Sequence, residues 1–201
     1  MTDPDWPAYY AVTVDRPPWQ TVLEAIRRFE VAGPSTTERL ATDLGCGAGR
    51  DARELLRRGW KVLAVDLEPA AIDRLEAATP RSDRERLATL VSDLVAVDIP
   101  PCDLVNASLS LPFLAATAFA TTWDHVRAAL RPGARFAGML FGDQDESAAD
   151  PAMTCPSPDA IRALLDDFEI ELWAEKEEDG KTALGEDHHF HLIEVVARRL
   201  G

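Results

Sequence analysis

The chain has 201 residues, about one domain's worth, and 46% hydrophobic with 28% charged residues excludes whole-chain disorder. Thirty-five acidic against 21 basic residues give a formal net charge of −14. A surface this negative disfavours nucleic acid and anionic membrane surfaces as partners.

Residues 1–18 are rich in proline and aromatics and read as an irregular N-terminal arm or lid, with 19–201 as the single domain. Val22, Leu23, Ile26 and Phe29 have helical spacing, and Gly33-Pro34 is the expected stop. Leu40 to Leu44 reads as a short strand running into Gly45-Cys46-Gly47-Ala48-Gly49. A helix over 51–58 closes at Gly59, a strand over 61–65 ends in Asp66, and Pro69 opens the next helix. Strands are expected near 88–92 and 103–107, then a helix over 115–130 ended by Arg131-Pro132-Gly133, and a strand over 135–141. This alternation means βαβ units and a parallel sheet covered on both faces. After a long loop at 142–157 and a helix near 158–166, Phe168–Ala174 and Phe190–Ala197 read as an antiparallel hairpin, with the acidic run from Glu175 to Asp179 at its solvated tip.

No apolar run reaches the roughly 18 residues of a membrane span, and the N-terminus has neither the basic start nor the apolar stretch of a signal peptide. Cys46, Cys102 and Cys155 are odd in number and form no CxxC, so no disulfide framework and no cysteine-based zinc site is expected. A reducing, cytoplasmic compartment fits best.

Asp43-Leu44-Gly45-Cys46-Gly47-Ala48-Gly49-Arg50 carries the chemistry. Glycines between a strand and a helix let the backbone approach a ligand closely. A dinucleotide fingerprint needs Gly at position 50, which is Arg, and no Gly-Lys-Ser/Thr phosphate loop occurs. Asp43, at the strand end, would repel phosphate and suit a cationic amine. Asp66 closes the second strand, where a carboxylate can accept both hydroxyls of a ribose. Asp93 closes the third, where it could accept from an exocyclic amine. An adenosine bearing an amine and no phosphate satisfies all three.

These residues resemble the class I S-adenosylmethionine-dependent methyltransferases. Asp43 to Gly49 matches that family's D/E-x-G-x-G-x-G motif, Asp66 stands at its ribose acid, and Asp93-Leu94 at its adenine-contacting pair. Asp103 to Ala107 resembles its fourth strand, and Leu130-Arg131-Pro132-Gly133 its turn before strand five. The resemblance spans about 36–200. It implies a Rossmann-like α/β fold with a seven-stranded sheet, six strands parallel and one antiparallel, S-adenosylmethionine as cofactor, and methyl transfer to a small-molecule acceptor. The cofactor residues it implies are Asp43, Gly45, Cys46, Gly47, Gly49, Arg50, Asp66, Leu67, Asp93, Leu94, Asn106 and Ala107, with Arg16 of the arm a partner for the methionine carboxylate. Gly49-Arg50-Asp51 and the His-rich hairpin resemble the small tellurite-resistance and thiopurine-type branch.

Other readings stand beside these. Asp93 can equally be a helix N-cap, Asn106 a strand-end structural bond, and Cys46 a small residue tolerated in the loop. Asn106-Ala107-Ser108-Leu109 lacks the two prolines of enzymes that methylate base or glutamine amines. His188, His189 and His191 cluster at the start of the last strand, and alternation puts His189 and His191 on one face. Without a nearby carboxylate at suitable spacing they give no metal site. Tyr10, His189 and His191 are the candidate catalytic residues, and Tyr9, Phe113 and Phe141 are expected to help wall the acceptor side. A cofactor-binding pseudo-enzyme and a nicotinamide-dependent oxidoreductase are the alternative functions.

Overall fold

The computed structural model describes residues 6–33 and 38–201. Residues 1–5 of the expected arm, Pro34 of the expected helix stop, and the side chain of Pro7 lie outside the described residues.

Strands β1 (Leu40–Leu44), β2 (Lys61–Asp66), β3 (Leu87–Val91), β4 (Cys102–Ser108), β5 (Leu130–Phe141), β6 (Phe168–Lys181) and β7 (Asp187–Arg199) form one sheet in the order β3-β2-β1-β4-β5-β7-β6. Pairs β1–β2, β2–β3, β1–β4 and β4–β5 are parallel, and β7 runs antiparallel to both β5 and β6. Six strands therefore share one direction and β7 opposes them, as expected.

Helices α2 (Gln20–Val31), α3 (Arg50–Arg57) and α4 (Pro69–Ala78) cover one face, burying Val22, Ile26, Leu55, Leu56 and Leu75. On the other face α5 (Ala116–Ala129) and α6 (Pro158–Leu164) bury Phe119, Trp123, Val126 and Ile161. The order reverses between β1 and β4. Ligands of open α/β sheets bind outside the strands' carboxyl ends at such a switch point. Asp43 of β1 stands there directly opposite Asn106 of β4. Among the described residues no helix is long and apolar enough to cross a membrane.

Three expectations are corrected. Residues Trp6–Thr13 of the arm form a helix, α1, rather than an irregular segment. Its aromatic side supplies the reason: Tyr10 is buried against Ala48 and Ala71, with Trp6 and Tyr9 packed on the same cluster. Strand β5 begins at Leu130, paired with Cys102, so the Pro-Gly turn lies within the strand's span. The hairpin is also longer than read, because Glu175 to Asp179 belong to β6 and the tip lies at 182–186. The acidic run alternates across the strand, and its carboxylates meet imidazoles. Glu175 lies 3.1 Å from His191, while Glu177 and Asp179 lie 3.3 and 2.7 Å from His189. Carboxylate–imidazole contacts across the pair support a strand that apolar patterning alone would not extend.

Candidate cofactor and acceptor site

The glycine turn is held from below by its own packing. An added Cβ at Gly45 would come within 2.3 Å of Ser110 Cβ, and one at Gly49 within 2.3 Å of Leu75 Cδ1. Gly47, with a left-handed φ of +53° like its two neighbours in the motif, differs in what it faces: a Cβ there would meet the Tyr10 ring at 3.3 Å. Its N–H donates to Asp66 Oδ2 at 2.8 Å. Asp66 Oδ1 accepts from the Glu68 N–H at 3.0 Å and from the Tyr10 hydroxyl at a long 3.3 Å. Burial and the adjoining carboxylate push the Tyr10 phenol well above its usual range, so it stays a donor.

Behind the turn two buried carboxylates share one amide. Asn106 Nδ2 donates to Asp43 Oδ1 at 2.8 Å and to Asp51 Oδ2 at 3.1 Å. Asp51 stands in the first turn of α3, and its Oδ1 accepts from the Trp19 N–H at 2.9 Å. Asp43 is 2% exposed, and its Oδ2 has no hydrogen-bond partner. Burial first, then the Asp51 charge, raise Asp43 to about 7. Burial raises Asp51 as well. The Cys46 thiol beside them is pushed up by burial and by the charges of Asp43 and Asp66, which makes it a neutral, inert group.

Stability has a consequence here. Asp43 titrates near 4 in an unfolded chain, so between pH 4 and 7 the folded chain keeps a proton that the unfolded chain has lost. That contribution is complete below pH 4 and fades as the pH rises through 7. Thermal melts of the ligand-free protein should therefore fall between pH 5 and 7.5 more steeply than those of Asp43→Asn. Parallel curves would show that Asp43 ionises normally.

Asp93 accepts from the Val95 N–H at 3.0 Å and caps a short 3-10 turn. Leu67 is exposed, whereas Leu94 and Ala107 are buried in the core. The Arg50 guanidinium stacks over Trp19 at 3.8 Å, and Arg16 is exposed. Burial lowers Arg50, and the Arg16 charge lowers it further, so the two guanidiniums share one field.

Over the carboxyl edge runs a chain of rings. Trp6 touches Tyr10 and Phe113, Phe113 touches Phe141, Phe141 touches His188, and His188 touches Phe190, at centroid distances of 4.5–6.3 Å. Tyr9, Tyr10, Phe113 and Phe141 are thus brought together. The expected histidines are not on that wall. His189 faces Asp179 and Glu177, which raise its pKa. His191 is buried beneath Gly142, its Nδ1 accepting from the Gln144 N–H at 3.2 Å while Nε2 donates to Glu175. The histidine on the wall is His188. Its Nε2 lies 2.9 Å from Asp145, whose side chain is wholly buried and also accepts from the Ser147 and His191 N–H groups. Sequence alternation carries His188's orientation, but the loop carboxylate it meets, Asp145, lies 43 residues away.

Taken together, the floor is a set of carboxyl groups (Asp43, Asp51, Asp66) with one unsatisfied buried oxygen. That set fits a ligand carrying an ammonium and hydroxyls, and it opposes a pyrophosphate. The family described as a methyltransferase domain matches residues 42–136. A probable ribosomal RNA small subunit methyltransferase A of Methanosarcina acetivorans is 32% identical over 83 residues, 41% of this chain. The chain covers only 30% of that relative's length. Among solved structures, TehB from Haemophilus influenzae superposes with a TM-score of 0.71 at 16% identity, covering 88% of this chain and 61% of that one. The N-methyltransferase NodS from Bradyrhizobium japonicum, in complex with S-adenosyl-L-homocysteine, gives 0.68 at 17% identity, covering 92% and 90%. Matched domain, strand order and acid-ended glycine turn converge on the fold of the class I S-adenosylmethionine-dependent methyltransferases, with a methyltransferase domain over residues 42–136.

Proposed function

We propose that the chain transfers the methyl group of S-adenosylmethionine to a small-molecule acceptor at the carboxyl edge of the sheet. The observation that carries this is the carboxylate floor beneath an aromatic cover. In this reading Asp66 accepts the ribose hydroxyls, Asp93 with Leu67 and Leu94 flanks the adenine, and Asp43, set by Asn106, accepts the ammonium. Arg50 and Arg16 provide positive charge for the methionine carboxylate. The backbone of Gly45, Cys46, Gly47 and Gly49, with Ala107, forms the close wall. S-adenosylmethionine, when bound, supplies a methyl group already activated on a sulfonium.

What the chain must do is align the acceptor and exclude water. The arm, residues 1–18, acts as the lid, with Trp6, Tyr9 and Tyr10 closing on Phe113 and Phe141. His188 is the polar handle of that wall: its Nε2 lies 2.9 Å from Asp145 and its Nδ1 3.6 Å from Glu146. The surroundings argue for a small acceptor over RNA, because Asp143, Glu146, Glu175, Glu177 and Asp179 make this edge acidic. Three free cysteines suit a cytoplasmic setting.

Incubation with S-adenosylmethionine and a panel of thiols and phenols should yield S-adenosylhomocysteine. Binding without turnover across the panel would favour the pseudo-enzyme. Asp66→Asn should weaken cofactor binding by about 1.5–3 kcal/mol, the range for a hydrogen bond to a charged group. Unchanged affinity in a calorimetric titration would remove Asp66 from the ribose.

A further inference from the structure

We propose that Asp43 and Asp51 act as a proton-sharing carboxylate pair that clamps the cofactor's ammonium and releases its proton to solvent when that ammonium binds. The proposal rests on the cofactor reading above and assigns Asp51 a part that the glycine-rich motif does not include.

Geometry makes the case. Asp43 comes from the end of β1 and Asp51 from the first turn of α3, and the single Asn106 amide donates to both, at 2.8 and 3.1 Å. An amide has two donor hydrogens, so Asn106 satisfies one oxygen of each carboxylate and no more. Asp51's other oxygen takes the Trp19 N–H at 2.9 Å. Asp43's other oxygen, Oδ2, takes nothing and is buried. Asp43 and Asp51 are 2% and 4% exposed, so water screens them little.

Two like charges at this depth cannot both stay ionised without a compensating cation. The charged and titratable groups facing the pair are Asp66 from β2, Cys46 from the turn, and Arg50 from α3. Asp66 adds to the repulsion, and Cys46 is neutral. Arg50 lowers Asp51, but its guanidinium is stacked on Trp19 rather than bonded to either carboxylate. The Ser108 hydroxyl donates to Asn106 Oδ1 at 3.4 Å and supplies no charge. The remaining solution is one proton for the two carboxyls; burial raises both, and the Asp51 charge raises Asp43 further. An ammonium donating to Asp43 Oδ2 does the same job with a full positive charge. The exchange balances: the site loses one proton to the buffer and gains one cation.

The test is calorimetric titration of the full chain with S-adenosylhomocysteine, at pH 6 and pH 8, in buffers of different ionisation enthalpy. Saturable binding at pH 8 verifies the cofactor reading first. The pair then predicts release of close to one proton per ligand at pH 6, falling towards zero at pH 8. Affinity should tighten about tenfold between pH 5.5 and 6.5. In Asp51→Asn, which keeps the size and removes the like charge, release at pH 6 should shrink and the affinity profile should move to lower pH. Heats independent of buffer, with affinity flat from pH 5.5 to 7.5 in the wild-type chain, would overturn the proposal while leaving the cofactor site intact. Absence of any binding would overturn both.

Discussion

Gly47→Val is expected to abolish detectable binding of S-adenosylmethionine while the chain stays folded. Gly47 has a φ of +53°, where a β-branched residue is strained by about 1–3 kcal/mol. Its amide is also the donor that fixes Asp66 Oδ2 at 2.8 Å, so rotating the peptide to relieve the strain would unseat the carboxylate. Space adds to the effect: a Cβ would already lie 3.3 Å from the Tyr10 ring, and valine carries two further methyls into the same gap. Strain, a displaced carboxylate and an obstructed approach together should weaken binding by at least about a thousandfold, or 4 kcal/mol. The fold should persist because Gly47 belongs to neither large core cluster. Calorimetry paired with a thermal melt checks both halves. Near wild-type affinity in a folded variant would move the cofactor away from this turn.

Deleting residues 1–12 should reduce methyl transfer by about two to three orders of magnitude, with a thermal midpoint lower by about 3–12 °C. The deletion removes most of α1 and with it Tyr10, Trp6 and Tyr9, the first rings of the aromatic cover. Misplacing reacting groups by about 1 Å can cost a hundredfold, and opening the site to water adds to that loss. The structural loss is smaller. Tyr10 is the one fully buried aromatic removed, worth about 1.5–3 kcal/mol, and each kcal/mol moves the midpoint of a chain this long by about 2–4 °C. The 3.3 Å bond from Tyr10 to Asp66 is long, so it contributes little. Turnover and midpoint measured on the same preparation separate the two effects. Full activity in the truncated chain would remove the lid.

The parts of this molecule that follow from local pattern were legible in its sequence. The acid-ended strands and the glycine turn are read from short-range spacing, and the parallel sheet follows from alternating βα units. What escaped depends on partners distant in sequence. Asp51 reads as an ordinary first-turn acid of α3, and only the register of β1 with β4 brings Asn106 across to it. The run Glu175 to Asp179 reads as a solvated tip until β7 supplies His189 and His191 opposite. Arg135 opens the strand expected over 135–141. In the fold it is buried over the Phe29 ring at 4.4 Å and paired with Glu171 at 2.6 Å. The helix α1 escaped because its apolar residues are not confined to one stripe; its stability comes from resting on Ala48 and Ala71 rather than from periodicity.

The account stands most directly on which cofactor the turn accepts. Titrating the full chain at pH 8 with S-adenosylmethionine, and separately with NAD, decides it. Saturable one-site binding of S-adenosylmethionine with no heat from NAD is the predicted result. Binding of NAD without binding of S-adenosylmethionine would contradict it.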